Sequence, residues 1–263
     1  MKFPNIHHIY IVHCPCLTDR YAYLKKVMEK YFPHDYYTFK VNTHKDTLTD
    51  EIINKYYTLD ENVRNTELRV IGEEKNLTQK INKGNISCGI NHLLIWEEVS
   101  NSKHDRVLIL EDDILFLEDT LSYMIEIMAE INDEHDIVSL EDGAGLTVDS
   151  MQIEEDLEKT IYKIESGRMR CTGAYSISKN ACTKLVELNK QRKFSLEIDM
   201  QLWFYGALKL IGIYWSSPTA FTQGSQKGVF KSEIQEKQNH FLQNIKLDNK
   251  KCICIQVNLV FLR

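Results

Sequence analysis

The first half of the chain alternates short apolar runs with amphipathic segments, which is typical of strands that alternate with helices. The apolar runs predicted to be strands cover residues 9–12, 36–41, 107–110 and 136–140. The amphipathic segments predicted to be helices cover residues 24–31, 84–101 and 121–131. Strand, helix and strand follow one another at the spacing of a βαβ unit, so we expect parallel strands in this half.

The second half of the chain has a different pattern. Residues 160–165 and 169–178 alternate between apolar and polar side chains, which predicts antiparallel strands. The other predicted elements are helices at 50–57, at 179–189 and just after Asp199, and strands at 211–215 and in the tail after residue 246. The rest of 43–80 is polar, and 218–229 is rich in Gly, Ser and Gln, so both stretches predict loops.

Composition narrows the class of protein. Of the 263 residues, 43% are hydrophobic and 27% are charged, as in a globular protein with a substantial core. The net charge of -6 gives no electrostatic reason to expect nucleic acid or an anionic membrane surface as a partner. The chain opens without an apolar leader, and no apolar run approaches the roughly 18 residues of a membrane span. We therefore expect a soluble, cytoplasmic protein.

The seven cysteines include two C-x-C pairs, Cys14 with Cys16 and Cys252 with Cys254. No C-x-x-C pair accompanies them, and a zinc site would need further ligands. We therefore expect reduced, mostly buried thiols, with a metal knuckle at a C-x-C pair as the alternative.

Three carboxylates, Glu111, Asp112 and Asp113, directly follow the most apolar predicted strand. Acidic side chains this close repel one another, and their burial is costly unless a cation compensates for it. Magnesium or manganese commonly sits between carboxylates and substrate phosphates, and ligands of open α/β sheets bind beyond the carboxyl ends of strands. The next predicted strand also ends in acids, Glu141 and Asp142. These features predict a cation-binding cleft; the alternative is a solvated turn.

Four motifs resemble the landmarks of one enzyme family, in the family's order. The first, I-Y-I-V-H-C-P-C-L-T-D-R, has Arg20 at an arginine position, with His13 and Cys16 in place of Asn and Arg. The second, G-N-I-S-C-G-I-N-H-L-L-I-W, matches at Gly84, Cys88, His92 and Trp96. The third is V-L-I-L-E-D-D, and the fourth contains G-A-Y-S-I-S. With the later E-I-D-M and P-T-A-F-T-Q, they resemble glycosyltransferase family 25, which includes lipooligosaccharide and collagen hydroxylysine galactosyltransferases.

The resemblance implies an α/β fold of the GT-A type: a Rossmann-type sheet that binds a nucleotide sugar, merged with a mixed acceptor-side half. We expect one domain over residues 1–245, with the nucleotide half in about 1–145 and the acceptor half in about 146–245. Residues 246–263 would form a strand-like extension. The implied activity is a metal-dependent, inverting transfer of a hexose, galactose or glucose, from a UDP-sugar.

The resemblance also implies roles for single residues. Asp113 and Glu111 are the predicted ligands of Mn²⁺ or Mg²⁺, which would stabilise charge on the departing nucleoside diphosphate. The predicted contacts to the nucleotide sugar are Arg20, His13, Asp112, Tyr175 and Gln223. The alternative for Arg20 is a surface arginine, and for Tyr175 it is strand packing. Residues 223–228 are predicted to form either a mobile lid or a plain surface loop.

Inversion requires a base that deprotonates the acceptor hydroxyl. Asp199 is the first candidate, because it lies in the acceptor half and matches an acid of the family. Glu141 and Asp142 are the alternatives. Asp199 could instead be a carboxylate favoured by the dipole at the start of a helix. His92 is more typical of a satisfied core histidine than of a ligand.

The expected partners are a nucleotide sugar and a glycan, glycolipid or hydroxylysine-containing protein acceptor, and the sequence does not identify which sugar is transferred. V-L-I-L-E-D-D is also similar to the start of response-regulator receiver domains. Here, however, it lies beyond residue 105 and lacks a convincing Lys-Pro or Thr-Ala-like completion. The stronger rival is a non-enzymatic relative of the same fold, which the departures at His13, Cys16 and Asn85 would suit.

Overall fold

The computed structural model describes residues 1–148 and 159–231. The strands are β1 (His8–Val12), β2 (Tyr37–Lys40), β3 (Arg106–Glu111), β4 (Ile114–Phe116), β5 (Ile137–Ser139), β6 (Ile161–Lys163), β7 (Ala174–Ser178), β8 (Ile213–Ser216) and β9 (Phe221–Gln223). The helices are α1 (Thr18–Tyr31), α2 (Asp50–Tyr56), α3 (Glu61–Val70), α4 (Lys83–Ser100), α5 (Thr120–Glu130), α6 (Lys179–Gln191) and α7 (Ile198–Ala207). Within these two ranges, no helix combines the length and the apolar character that crossing a bilayer requires.

Seven strands form one mixed sheet in the order β2-β1-β3-β7-β5-β8-β6. β1 is parallel to both β2 and β3, and β5 is parallel to β8, whereas β7 and β6 run antiparallel to their neighbours. Five strands therefore direct their carboxyl ends to the same edge of the sheet: β1, β2, β3, β5 and β8. The strand order reverses between β1 and β3, which is where open α/β sheets bind their ligands. The mixed α/β sheet confirms the predicted α/β class.

The central strand β3 is buried on both faces of the sheet. Val107 and Ile109 belong to the core that α4, α6 and α7 cover. Leu108 and Leu110 belong to the opposite core, which α1 and α5 cover. Successive side chains of a strand point to opposite faces, so a strand between two helical layers needs an unbroken apolar sequence. This explains the apolar run that precedes the three acids.

Most of the predicted elements are present, and three were not foreseen: α3, β4 and β9. The parallel βαβ unit of β1, α1 and β2 is confirmed, and so are the helices α4, α5 and α6. The loop predicted for 43–80 is wrong over Glu61–Val70, where α3 forms behind Asp60, whose side chain accepts a hydrogen bond from the Asn62 amide. The loop predicted for 218–229 is wrong at β9, which pairs with the distant β4. The predicted tail strand and the pair Cys252 and Cys254 lie outside the described residues.

Gly89 in α4 is required by close contact with Tyr57. A β-carbon at residue 89 would lie 2.0 Å from the Tyr57 hydroxyl oxygen, which is buried and has no hydrogen-bond partner in the described part of the chain. We expect Gly89→Ala to lower the free energy of unfolding by about 1–3 kcal/mol through overpacking. Tyr57→Phe removes the colliding oxygen, so the double variant should recover much of that loss. Urea unfolding of all four proteins measures the coupling, and strict additivity of the two changes would contradict the contact.

Candidate active site

Asp112 links the ends of β1 and β3. Its Oδ2 accepts hydrogen bonds from the Cys14 amide and from Nδ1 of His13, each at 3.0 Å. Its Oδ1 accepts a hydrogen bond from Nη1 of Arg20 at 2.7 Å. Burial by itself raises the pKa of Asp112, but these three donors outweigh it and hold the pKa below its usual value. Asp112 is therefore an ionised carboxylate whose two oxygens are both engaged by the protein.

Arg20 is buried against the acids, so it is not the exposed first-turn arginine of the alternative interpretation. Its Nη1 also lies 4.0 Å from Oδ2 of Asp113, and its Nη2 donates to the Lys231 carbonyl. The guanidinium carbon lies 5.7 Å from the centre of the Phe230 ring. Arg20 and His13 thus hold the acidic cluster in place, and a contact of either with a nucleotide stays a prediction.

Asp113 is buried and only partly satisfied. Its Oδ2 accepts a hydrogen bond from the Ser225 hydroxyl, and its backbone carbonyl accepts one from the Gly224 amide at 2.7 Å. Its Oδ1 is buried and has no hydrogen-bond partner among the described residues. Burial and the charge of Glu111 raise the pKa of Asp113 to about 6, against the smaller opposing effects of Ser225 and Arg20. Because an unsatisfied buried carboxylate oxygen is costly, this atom marks a position for a bound cation or donor.

Glu111 is oriented by a buried chain of hydrogen bonds. Its Oε1 accepts from the Thr172 hydroxyl at 2.8 Å and lies 3.3 Å from Nε2 of His92. Nδ1 of His92 lies 2.8 Å from the Tyr175 hydroxyl, which accepts a hydrogen bond from Nε1 of Trp96 at 3.0 Å. Because the Glu111 carboxylate accepts hydrogen bonds, a neutral His92 carries its proton on Nε2, and its Nδ1 accepts a hydrogen bond from the Tyr175 hydroxyl. Each group therefore donates to the next, from Trp96 through Tyr175 and His92 to Glu111.

These hydrogen bonds correct one prediction and agree with another. Tyr175 was predicted to contact the nucleotide sugar, but its ring is wholly buried and its hydroxyl is used by His92 and Trp96. It supports Glu111 from behind instead. His92 is a buried, satisfied histidine, as its helical position favours. Although Cys88, His92 and Glu111 offer ligand atoms within 4.8 Å of one another, the contact between His92 and Glu111 already uses both groups.

Asp199 lies half-buried in the first turn of α7, where its Oδ1 accepts a hydrogen bond from the Met200 amide at 2.9 Å. Burial is the main cause that raises the pKa of Asp199 to about 6, and the charges of Glu197 and then Glu111 add to it. Glu111 and Asp199 also raise the pKa of the Cys88 and Cys171 thiols, after the larger effect of burial. Asp199 is therefore close enough to Glu111 for the two charges to interact, although it belongs to the second half of the chain.

Glu141 follows β5 and is fully buried at the same edge of the sheet. Its Oε1 accepts a hydrogen bond from the Ala174 amide at 3.2 Å. Burial, and then the charge of Glu111, raise the pKa of Glu141 well above its usual value. Gly173 allows the close packing here, because a β-carbon there would lie 2.5 Å from Oε2 of Glu141 and 2.4 Å from Nε2 of Gln223. Gln223 is thus brought to the acidic cluster.

The segment 223–228, predicted to be a lid or a surface loop, is folded over the acids. β9 leads into it, and its hydrogen bonds to Asp113 hold it there. Lys227 lies 3.1 Å from the more exposed carboxylate of Asp142. Ser225 and Thr172, which contact the acids directly, were not predicted. They carry no motif, and only the folded chain brings them to β3.

Comparison with known proteins identifies the family. The model of glycosyltransferase family 25, described as an LPS biosynthesis protein family, matches residues 6–202. Because the match covers most of the chain, the protein belongs to glycosyltransferase family 25, as its motifs predict. The matched region contains every predicted site residue except Gln223. No curated protein matches the chain significantly.

The raised pKa of Asp113 predicts a pH-dependent cost to stability. The pKa rises from 3.8 to about 6 on folding, so stability is fullest below the lower value and falls as the pH rises through this window. At about 1.4 kcal/mol per unit, the loss is about 2–3 kcal/mol. We expect Asp113→Asn to unfold at higher urea concentration than the parent at pH 7.5, in the presence of a chelator.

This advantage should shrink at pH 4.5, where the parent carboxyl is largely protonated in the folded state. Asp119→Asn, a change at an exposed acid, serves as the control and should show little effect at either pH. A stability difference for Asp113→Asn that stays constant between the two pH values would contradict the assignment.

Proposed function

We propose that this member of glycosyltransferase family 25 transfers a hexose, galactose or glucose, from a UDP-sugar to a hydroxyl of a glycan, glycolipid or protein acceptor. The reaction would be metal-dependent and inverting, on a sheet used in the GT-A manner. The observation that supports this proposal is the environment of Asp113. It is buried beside the point where the strand order reverses, it adjoins Glu111, and its Oδ1 has no protein donor in the described ranges.

The acids suit a hard divalent cation. Carboxylate oxygens are the ligands that Mn²⁺ and Mg²⁺ prefer, and Asp113 and Glu111 would supply them. A cation near both would relieve the repulsion that raises the pKa of Asp113. Asp112 is less suited, because His13, Cys14 and Arg20 engage its oxygens. When bound, the ion would stabilise the negative charge that develops on the departing nucleoside diphosphate.

The surroundings of β1 support binding of a nucleotide. The exposed ring of Tyr21 stacks on His13, with 5.1 Å between the ring centres, and meets the edge of Phe39 at 4.9 Å. This aromatic platform lies beside the carboxyl ends of β1 and β2. Aromatic faces stack well on nucleobases, and a uracil base would fit such a surface.

Asp199 is the proposed base. With a pKa of about 6, it is ionised at pH 7 yet basic enough to accept a proton. Glu141 is fully buried with Oε1 bonded to the Ala174 amide, and Asp142 is paired with Lys227, so both are less suited. In the proposed step, Asp199 takes the proton of the acceptor hydroxyl while that oxygen attacks the anomeric carbon. The bond to the diphosphate breaks on the opposite face, and the nucleotide leaves with the bonding electrons.

The metal assignment is tested by comparing Asp113→Ala with Asp119→Ala. With Mn²⁺ and UDP at 100 times the dissociation constant, binding should stabilise the parent by about 2.7 kcal/mol, which a thermal shift would detect. Asp113→Ala should stay folded, lose this shift, and transfer or hydrolyse UDP-sugar at least about 100-fold more slowly. Normal turnover by Asp113→Ala would contradict the proposed metal site. UDP binding by the parent without turnover of any donor would favour a binding protein instead.

The base is tested by comparing Asp199→Asn with Glu141→Gln in transfer assays. Asp199→Asn should lower kcat by about 100-fold or more, the usual contribution of general base catalysis, without weakening UDP binding. Parent activity should fall below about pH 6 as Asp199 is protonated. Glu141→Gln changes a side chain that is fully buried and bonded to the Ala174 amide, so its effect on kcat should be smaller. The reverse ranking would assign the base to Glu141.

A further inference from the structure

Three side chains with metal-binding atoms meet in the loops that follow β1 and β2. Cys14 and Cys16 lie in the loop after β1, and His44 lies in the loop after β2. Because β1 and β2 are parallel neighbours, both loops leave the same edge of the sheet. The two sulfur atoms are in contact, Sγ of Cys16 lies 3.7 Å from Nε2 of His44, and the three ligand atoms all lie within 4.8 Å of one another.

These atoms have the chemistry of a zinc site. Two thiolates and an imidazole are soft or borderline ligands that select Zn²⁺ over Mg²⁺ or Mn²⁺. With Zn–S bonds of about 2.3 Å and Zn–N bonds of about 2.1 Å, ligand atoms that share one ion lie at most about 4.6 Å apart. The two sulfur atoms lie 2.6 Å apart, and in a tetrahedral site they would lie about 3.8 Å apart, so binding requires the two Cys side chains to separate by about 1 Å. Cys16 is exposed, so an ion can reach the group from solvent.

The surroundings of His44 complete the arrangement. Its Nδ1 accepts a hydrogen bond from the Asp46 amide at 3.3 Å and lies 3.4 Å from a carboxylate oxygen of the same residue. When Nε2 binds a metal, Nδ1 carries the proton, so it would exchange the contact with the amide for donation to that carboxylate. A carboxylate that orients a ligating histidine in this way is the usual outer partner of a zinc ligand.

We propose that Cys14, Cys16 and His44 bind one zinc ion, with the fourth position open to water or another ligand. On binding, the two thiols release their protons to solvent, and the two thiolates balance the charge of the ion. The ion would tie the loop after β1 to the loop after β2. The Cys14 amide also donates to Asp112, so the same ion would restrain the wall of the acidic cluster. The site does not depend on the proposed transferase activity.

The proposal is tested on the full chain, stripped of metal and kept reduced, by titration with Co²⁺ as a spectroscopic probe for zinc. The parent should gain thiolate-to-cobalt charge-transfer absorption for one equivalent of metal, which Zn²⁺ then displaces. Cys14→Ser/Cys16→Ser should lose that equivalent. Cys252→Ser/Cys254→Ser, the matched change at the other C-x-C pair, should keep it. Retention of the full absorption by Cys14→Ser/Cys16→Ser overturns the proposal.

A second set of variants leaves the thiols in place. His44→Ala should bind zinc at least about 10-fold more weakly in competition with a chromophoric chelator, and Asp46→Asn about 10-fold more weakly. His34→Ala, at another exposed histidine, is the control and should bind as the parent does. Unchanged zinc affinity in His44→Ala would show that the histidine is not a ligand and would overturn the three-residue site. Circular dichroism of each variant verifies that it is folded.

Discussion

Mutual repulsion among three carboxylates at the end of one buried strand is the constraint around which this protein is built. Each acid is compensated differently. Asp112 has a guanidinium, an imidazole and a backbone amide, and its pKa falls. Asp113 has a single hydroxyl on one oxygen, and its pKa rises. The protein thus satisfies one carboxylate fully and leaves its neighbour short of positive charge, which is the condition for binding a cation there.

The side chains that contact the acids of β3 come from both halves of the chain. β7 is inserted antiparallel between β3 and β5, and the loop before it brings Thr172 to Glu111. β9 pairs with β4 and brings Ser225 to Asp113. Asp199, in the first turn of α7, is close enough to Glu111 for the two charges to interact. The first and second halves of the chain therefore share one sheet and both of its cores, and the acids of β3 contact residues from each half.

What could be predicted from the sequence was local. The run before Glu111 and the spacing of apolar residues in α4 and α5 reflect burial of single elements, which periodicity records directly. The acids were visible because they are adjacent in the chain. In contrast, α3 is polar overall and is held by contacts such as that of Arg64 with Glu197, 133 residues away. The local pattern of apolar and polar residues does not indicate pairs that are this far apart in the sequence.

The same distinction explains the errors in the site. Arg20 was interpretable as a surface residue because its partner, Asp112, is 92 residues away. Tyr175 was placed in the pocket because a strand sequence does not show which hydroxyl is already satisfied by Trp96 and His92. Asp199 was predicted only through its family motif, and its role as the base stays a prediction.

The loop after β1 shows how a departure from a family pattern can be absorbed. His13 stands where the family has Asn, and it still supplies a donor to Asp112. Cys16 stands where the family has Arg, and it faces Cys14 and His44 instead of adding a cation. A zinc ion held by two thiolates is close to neutral, so it would not replace the missing arginine charge. It would instead make this loop more rigid, because Cys14 would bind the ion through its sulfur while its amide donates a hydrogen bond to Asp112. Arg20 then remains the only arginine among the donors that the structure describes around Asp112.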